Sequence, residues 1–117
     1  MDIQAIQFFQ LLSDETRLRC LMLMQQEGEL CVCELTHALN VIQPKISRHL
    51  ASLRDAGVVI DRRQGQWIYY QIHPELPKWA LKVIKTTATN VADQKSFNKD
   101  YEILKAMPNR PGVACCA

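Results

Sequence analysis

Gln43-Pro44-Lys45-Ile46-Ser47-Arg48-His49-Leu50-Ala51-Ser52-Leu53-Arg54 is the stretch whose reading decides the fold, together with Val58–Tyr70 that follows it. Pro44 suits the first turn of a helix, where its missing N–H would have had no partner anyway. Ile46, Leu50 and Leu53 recur at helical spacing and form one apolar stripe. Gly57 stops the helix. Val58–Asp61 and Trp67–Ile72 are rich in β-branched and aromatic residues, and they flank the turn Gln64-Gly65, which predicts a short hairpin.

Upstream, Ile3, Ile6, Phe9 and Leu12 mark a helix over residues 2–12. Ser13 is the expected N-cap of a second helix, with Asp14 and Glu15 in its first turn. Leu18, Leu21, Met22 and Cys20 supply that helix with its buried side, and Gly28 ends it. Val32, Leu35, Ala38 and Leu39 predict a short third helix closed by Asn40. Downstream, Pro74 and Pro77 introduce a longer helix from Lys78, carrying Trp79, Val83 and Ile84, with further helix to about Met107. The order is helix, turn, helix, hairpin. The expectation is therefore a mainly α (α+β) chain with a winged helix-turn-helix, one domain over residues 1–107 and a flexible tail over 108–117.

Charge supports a nucleic-acid role. Residues 1–43 hold Arg17 and Arg19 against six acidic side chains, Asp2, Asp14, Glu15, Glu27, Glu29 and Glu34. Residues 44–66 hold Lys45, Arg48, Arg54, Arg62 and Arg63 against Asp55 and Asp61. Positive charge thus begins where the second helix of the motif begins. With the apolar stripe inward, Lys45, Ser47 and Arg48 face outward, and Gln43 stands at the helix start, which usually points into the major groove. His49 borders the stripe and is a candidate for either DNA contact or helix packing. Arg62, Arg63 and Gln64 at the hairpin tip suit phosphates or the minor groove.

The five cysteines are Cys20, Cys31, Cys33, Cys115 and Cys116. An odd number in close pairs argues against a disulfide framework and favours metal binding or redox sensing. Cys20 lies in a Leu- and Met-rich helix and reads as core. On a regular helix, Cys31 and Cys33 would point roughly 200° apart, whereas positions 33 and 36 share a face. The expectation is that the pair chelates only if the helix start unwinds, and that unwinding tilts the reading helix away from its groove.

Leu12–Leu18, Glu29–Leu35, Gln43–Leu50 and Gly65–Tyr70 together resemble the ArsR/SmtB metalloregulatory repressors, most nearly the arsenical-resistance branch, over residues 5 to about 85. The resemblance implies a homodimer whose first and last long helices form the interface, and the start Met1–Gln4, without the basic region and cleavage site of a signal peptide, predicts a cytoplasmic location. The resemblance also implies binding to double-stranded operator DNA, with release on binding As(III) or Sb(III) at Cys31 and Cys33. The arsenical pattern Cys-Val-Cys-x-x-Cys has Thr36 at its third place here. A third ligand would come from Cys115 or Cys116, or from a small thiol in solution. The family's second site, built from Asp and His on the last helix, has no counterpart: His37, His49 and His73 all precede that helix.

A cadmium, lead or zinc sensor of the same family is the alternative, although such relatives recruit an amino-terminal cysteine and none precedes Cys20. A small thiol-redox enzyme using Cys115 and Cys116 has no Cys-x-x-Cys to support it. There is no Gly-rich phosphate loop or nucleophile elbow. An enzyme with a catalytic cofactor is therefore not expected. Nor is a membrane partner, since no apolar run approaches the ~18–20 residues of a span.

Overall fold

The computed structural model describes residues 2–110. The chain runs α1 (Ala5–Leu12), α2 (Glu15–Glu27), β1 (Leu30–Cys31), α3 (Val32–Leu39), α4 (Gln43–Asp55), β2 (Val59–Gln64), β3 (Trp67–Ile72), α5 (Lys78–Val91) and α6 (Lys95–Lys105). This is the winged helix-turn-helix expected from the order of apolar patterns, with α3 and α4 as its two helices and β2–β3 as its wing.

Local chemistry sets the boundaries. Asp14, not Ser13, caps α2: its carboxylate accepts the Arg17 N–H at 3.0 Å. Ser13 instead closes α1, its hydroxyl donating to the Gln10 carbonyl at 2.7 Å. Both residue types are good caps, so only the backbone decides between neighbours. Asn40 ends α3 in the left-handed region at φ 55°, a conformation that Asn tolerates better than most side chains.

The sheet is antiparallel with order β1-β3-β2. β1 is a departure from the sequence reading, which placed Cys31 at the opening of a helix. Leu30 pairs with Tyr70 and Cys31 with Tyr69. Two residues are too few to show an alternating pattern, and their strand character comes from the edge of β3 beside them.

Leu21, Met24, Leu30, Leu35, Ile46, Leu50, Leu53 and Ile84 form the buried core, with Cys20 fully enclosed among them. The expected longer helix from Lys78 and the further helical stretch to about Met107 are α5 and α6, with the break at residues 92–94. α6 folds back onto α2 and α3, burying Leu104 and Asp100. Asp100 accepts two hydrogen bonds from Arg19 of α2, at 2.6 and 2.7 Å. A bidentate guanidinium–carboxylate pair of this kind fixes orientation as well as distance. Ile6 and Phe9 of α1 and Trp79 of α5 remain exposed. The Phe9 and Trp79 rings lie 6.4 Å apart. No helix among the described residues is long and apolar enough to cross a membrane.

Candidate effector and nucleic-acid site

Cys31 is the N-cap of α3, with extended backbone (φ −75°, ψ 151°), and Cys33 lies within its first turn. This overturns the expectation that the helix start must unwind. Because Cys31 stands outside the helix, the 100° per residue of helical rotation does not separate the two side chains. The Cys33 thiol donates to the Cys31 sulfur at 3.2 Å. Cys31 is buried and Cys33 half-buried.

Glu34 organises this junction. Its Oε1 accepts the Cys31 backbone N–H at 2.8 Å, completing a capping box in which Cys31 takes the place usually held by serine or threonine. Its Oε2 accepts from Arg110 at 2.6 Å, and Arg110 also reaches Glu27 at 3.4 Å. Glu34 is itself buried. The expected tail therefore begins, at Pro108–Arg110, with a residue tied to α3. Cys115 and Cys116 lie outside the described residues.

Burial, the hydrogen bond to Cys31 and the negative charge of Glu34 push the Cys33 thiol up to about 12. Desolvation, with the negative charges of Asp100 and Asp14 adding to it, pushes Cys20 up to about 12, so that thiol stays protonated and serves packing, as its helix suggested. Thr36 does not occupy the ligand position of the arsenical pattern idly; its hydroxyl donates to the Val32 carbonyl at 2.9 Å. His37 is exposed. Among the described residues, no group of three His, Cys, Asp or Glu side chains is placed to hold one ion.

The nucleic-acid candidates divide. Gln43, Lys45 and Arg48 are exposed on the outer face of α4, and Ser47 is half-buried on the side toward the wing. His49 is turned the other way. It is buried against α2, with Nδ1 3.2 Å from Arg17 and Nε2 3.8 Å from Asp14. Burial lowers its pKa in spite of Asp14, and the positive charges of Arg17, Arg48 and Lys45 add to that. The sequence left His49 between two roles, and the fold assigns it to packing.

On the wing, Arg63 and Gln64 are exposed at the tip. Arg62 is engaged. It donates two hydrogen bonds to Glu29 at 2.7 Å and one to Gln64, and its guanidinium sits 4.5 Å above the Tyr69 ring. Tyr69 is the strand partner of both Arg62 and Cys31. The cysteine junction and the wing are thus adjacent rungs of one sheet. Glu29, Glu34, Tyr69 and Arg110 escaped the sequence reading. Only Glu34 had a local signal, at the third position after the cap.

A helix-turn-helix whose second helix presents a basic outer face, followed by a basic β-wing, defines a DNA-binding regulator. The family described as "Bacterial regulatory protein, arsR family" matches residues 14–61. The arsenic resistance transcriptional regulator ArsR1 of Pseudomonas putida is 52% identical over 109 residues, 92% of this chain and 84% of its own. The arsenical resistance operon repressor of Escherichia coli is 54% identical over 79 residues, 68% of each chain. Among solved structures, the AntR antimony-specific transcriptional repressor superposes with a TM-score of 0.63 at 26% identity, covering 77% of this chain and 78% of its own. The chain belongs to the arsR family of bacterial regulatory proteins, and it is a regulator rather than an enzyme.

Proposed function

We propose that the protein is a homodimeric, cytoplasmic repressor that releases operator DNA when trivalent arsenic or antimony binds Cys31 and Cys33. The observation that carries this reading is the 3.2 Å separation of the two sulfurs at the start of the helix preceding α4. Thiolates select soft ions. Two sulfurs bonded to one atom at about 2.3 Å, a common metal–thiolate length, stand about 3.3 Å apart when the bonds meet at a right angle. That angle suits a pyramidal trivalent centre better than a tetrahedral divalent one. The names of the arsenic and arsenical resistance relatives and of the antimony-specific repressor support the same effector.

A third thiolate for inorganic As(III) comes from Cys115 or Cys116, or from a thiol in solution. Arg110, held at Glu34, lies five residues before Cys115 in the chain, and five extended residues span at most about 17 Å. DNA contacts are assigned to Gln43, Lys45, Ser47 and Arg48 on α4 and to Arg63, Gln64 and a released Arg62 on the wing. The exposed Ile6, Phe9 and Trp79 supply the dimer interface between α1 and α5, since exposed apolar patches mark association sites. Signal transfer runs along the Cys31–Tyr69 pairing into the wing and through α3 into α4.

Operator binding followed by fluorescence anisotropy during arsenite titration tests this function. Cys31→Ser or Cys33→Ser should leave operator affinity nearly intact and abolish release. Release by the double variant at the wild-type arsenite concentration would place the sensing site elsewhere.

A further inference from the structure

Among the described residues, Ile6, Phe9, Ile42 and Trp79 are the large apolar side chains left exposed. Ile6, Phe9 and Trp79 belong to α1 and α5. Ile42 stands apart from them as the N-cap of α4, and it is 71% exposed. Its carbonyl accepts the N–H groups of Lys45 and Ile46 at 3.1 and 3.2 Å, which fixes its backbone at the helix start. Val41 beside it packs against the core. An N-cap favours Ser, Thr, Asp or Asn, whose side-chain oxygen takes up a free N–H of the first turn, and Ile is among the poorest choices. Asp14 and Cys31 fill that role on α2 and α3, whereas the Ile42 side chain makes no such bond. The position therefore combines a missing cap with an apolar side chain in water. Local rules are broken in this way chiefly where a side chain serves a partner.

We propose that Ile42 reads the C5-methyl group of a thymine in the major groove. The first residues of a recognition helix are the ones that reach base edges, and the exposed Gln43 stands next to Ile42. The other groups that distinguish base pairs in that groove are hydrogen-bond donors and acceptors, which a branched hydrocarbon cannot satisfy. The thymine methyl is the apolar one. Contact between the two takes both out of water. Cytosine lacks that methyl, so the contact favours T·A over C·G at one position of each half-site. The inference rests on the proposed assignment of α4 to DNA reading and names a base for a residue outside that assignment.

The test uses the full chain, free of metalloid, and the duplex that it selects from a random-sequence library. That duplex is prepared once with thymine and once with uracil throughout, since uracil pairs as thymine does and lacks only the methyl. Wild type should bind the uracil duplex about fourfold more weakly per half-site, the worth of one buried methyl group. Ile42→Ser should lose most of that discrimination and bind the thymine duplex correspondingly less tightly, while Ile42→Val should keep most of it. Serine also supplies the missing cap, so the urea midpoint of Ile42→Ser should equal or exceed that of wild type. Lost recognition is thereby separated from lost structure. Arg48→Ala is measured alongside. A uracil penalty of the same size in wild type and Ile42→Ser, zero included, would overturn the assignment of Ile42, while α4 keeps its role if Arg48→Ala loses affinity. Undiminished binding by both Arg48→Ala and Ile42→Ser would overturn the reading of α4 and this inference together.

Discussion

Glu34 and Arg110, separated by 76 positions in the chain, share a hydrogen bond of 2.6 Å, and the other oxygen of the same carboxylate holds the Cys31 N–H. The end of the described chain is therefore tied directly to the start of α3, where the two cysteines meet. Arg110→Ala leaves a buried carboxylate without its cation and should cost about 1.5–3 kcal/mol, the usual worth of a hydrogen bond to a charged group. Urea denaturation should show a lower midpoint with an unchanged slope, and Arg110→Lys should recover part of the loss. An unchanged midpoint in Arg110→Ala would mean the pair contributes nothing to the fold.

Base reading and charge neutralisation should separate by position. Arg48→Ala, on the outer face of α4, should cost about 1–3 kcal/mol on the operator and relax sequence preference. Arg63→Ala should weaken binding to all sequences alike and reduce the salt slope by about 0.9. Losses of equal size and equal salt dependence at both positions would argue against this division.

Arg62 is held by Glu29, so a phosphate must compete for it. Glu29→Gln weakens that hold and should raise affinity for non-specific DNA, with a steeper salt dependence than wild type. A salt titration of both proteins on random duplex decides the matter, and identical curves would mean Arg62 stays with the protein on DNA.

His49 makes stability depend on pH. Its folded pKa is lowered chiefly by burial, whereas the unfolded chain takes up that proton near the ordinary value of about 6.5. As pH falls through that value the unfolded state binds more protons than the folded one, and stability declines. The contribution is intact above the unfolded pKa and lost below it. His49→Gln should flatten the fall between about pH 7 and pH 5, measured as the difference between paired denaturation curves. Parallel curves would remove His49 as the cause.

The raised Cys33 thiol distinguishes metalloids from divalent metals. Neutral arsenous acid gives up hydroxide and takes thiol protons away as water, so its binding has no net proton release. A divalent cation must displace those protons, and its affinity should rise about tenfold per pH unit for each proton displaced. Isothermal titration at pH 6.5 and 8 should therefore show a large pH effect for cadmium and a small one for arsenite. Comparable slopes for both would contradict the assigned chemistry.

The apolar face of α1 and α5 yields a separate expectation. Ile6 is 74% exposed, so Ile6→Glu disturbs little packing within one chain. It should leave the fold intact and convert a dimer to a monomer in analytical ultracentrifugation, with loss of a footprint spanning two half-sites about 34–36 Å apart. A dimer unaffected by this substitution would place the interface elsewhere.

The helices were legible because their apolar residues recur at 3.6-residue spacing and their ends carry Gly28, Asn40, Pro44 and Gly57. The outer face of α4 followed from the inner one, since a helix that buries Ile46, Leu50 and Leu53 has no other place for Lys45 and Arg48. The position of the break between α5 and α6 was not legible, because no proline or glycine stands at 92–94. It arises where α6 turns back to bury Leu104 and pair Asp100 with Arg19.

Local pattern by itself determined the order of the first four helices and the wing, the basic outer face of α4 and the pair of cysteines beside it, all properties of residues close together in the chain. Tertiary structure alone decided how those cysteines meet. Cys31 leaves the helix because Leu30 and Cys31 pair with Tyr70 and Tyr69, and it is held there by a carboxylate that a distant arginine supports. It also decided that His49 packs inward and that Arg62 rests on Glu29. Each of these depends on which side chain a remote segment brings within hydrogen-bonding distance, and neither periodicity nor spacing carries that information.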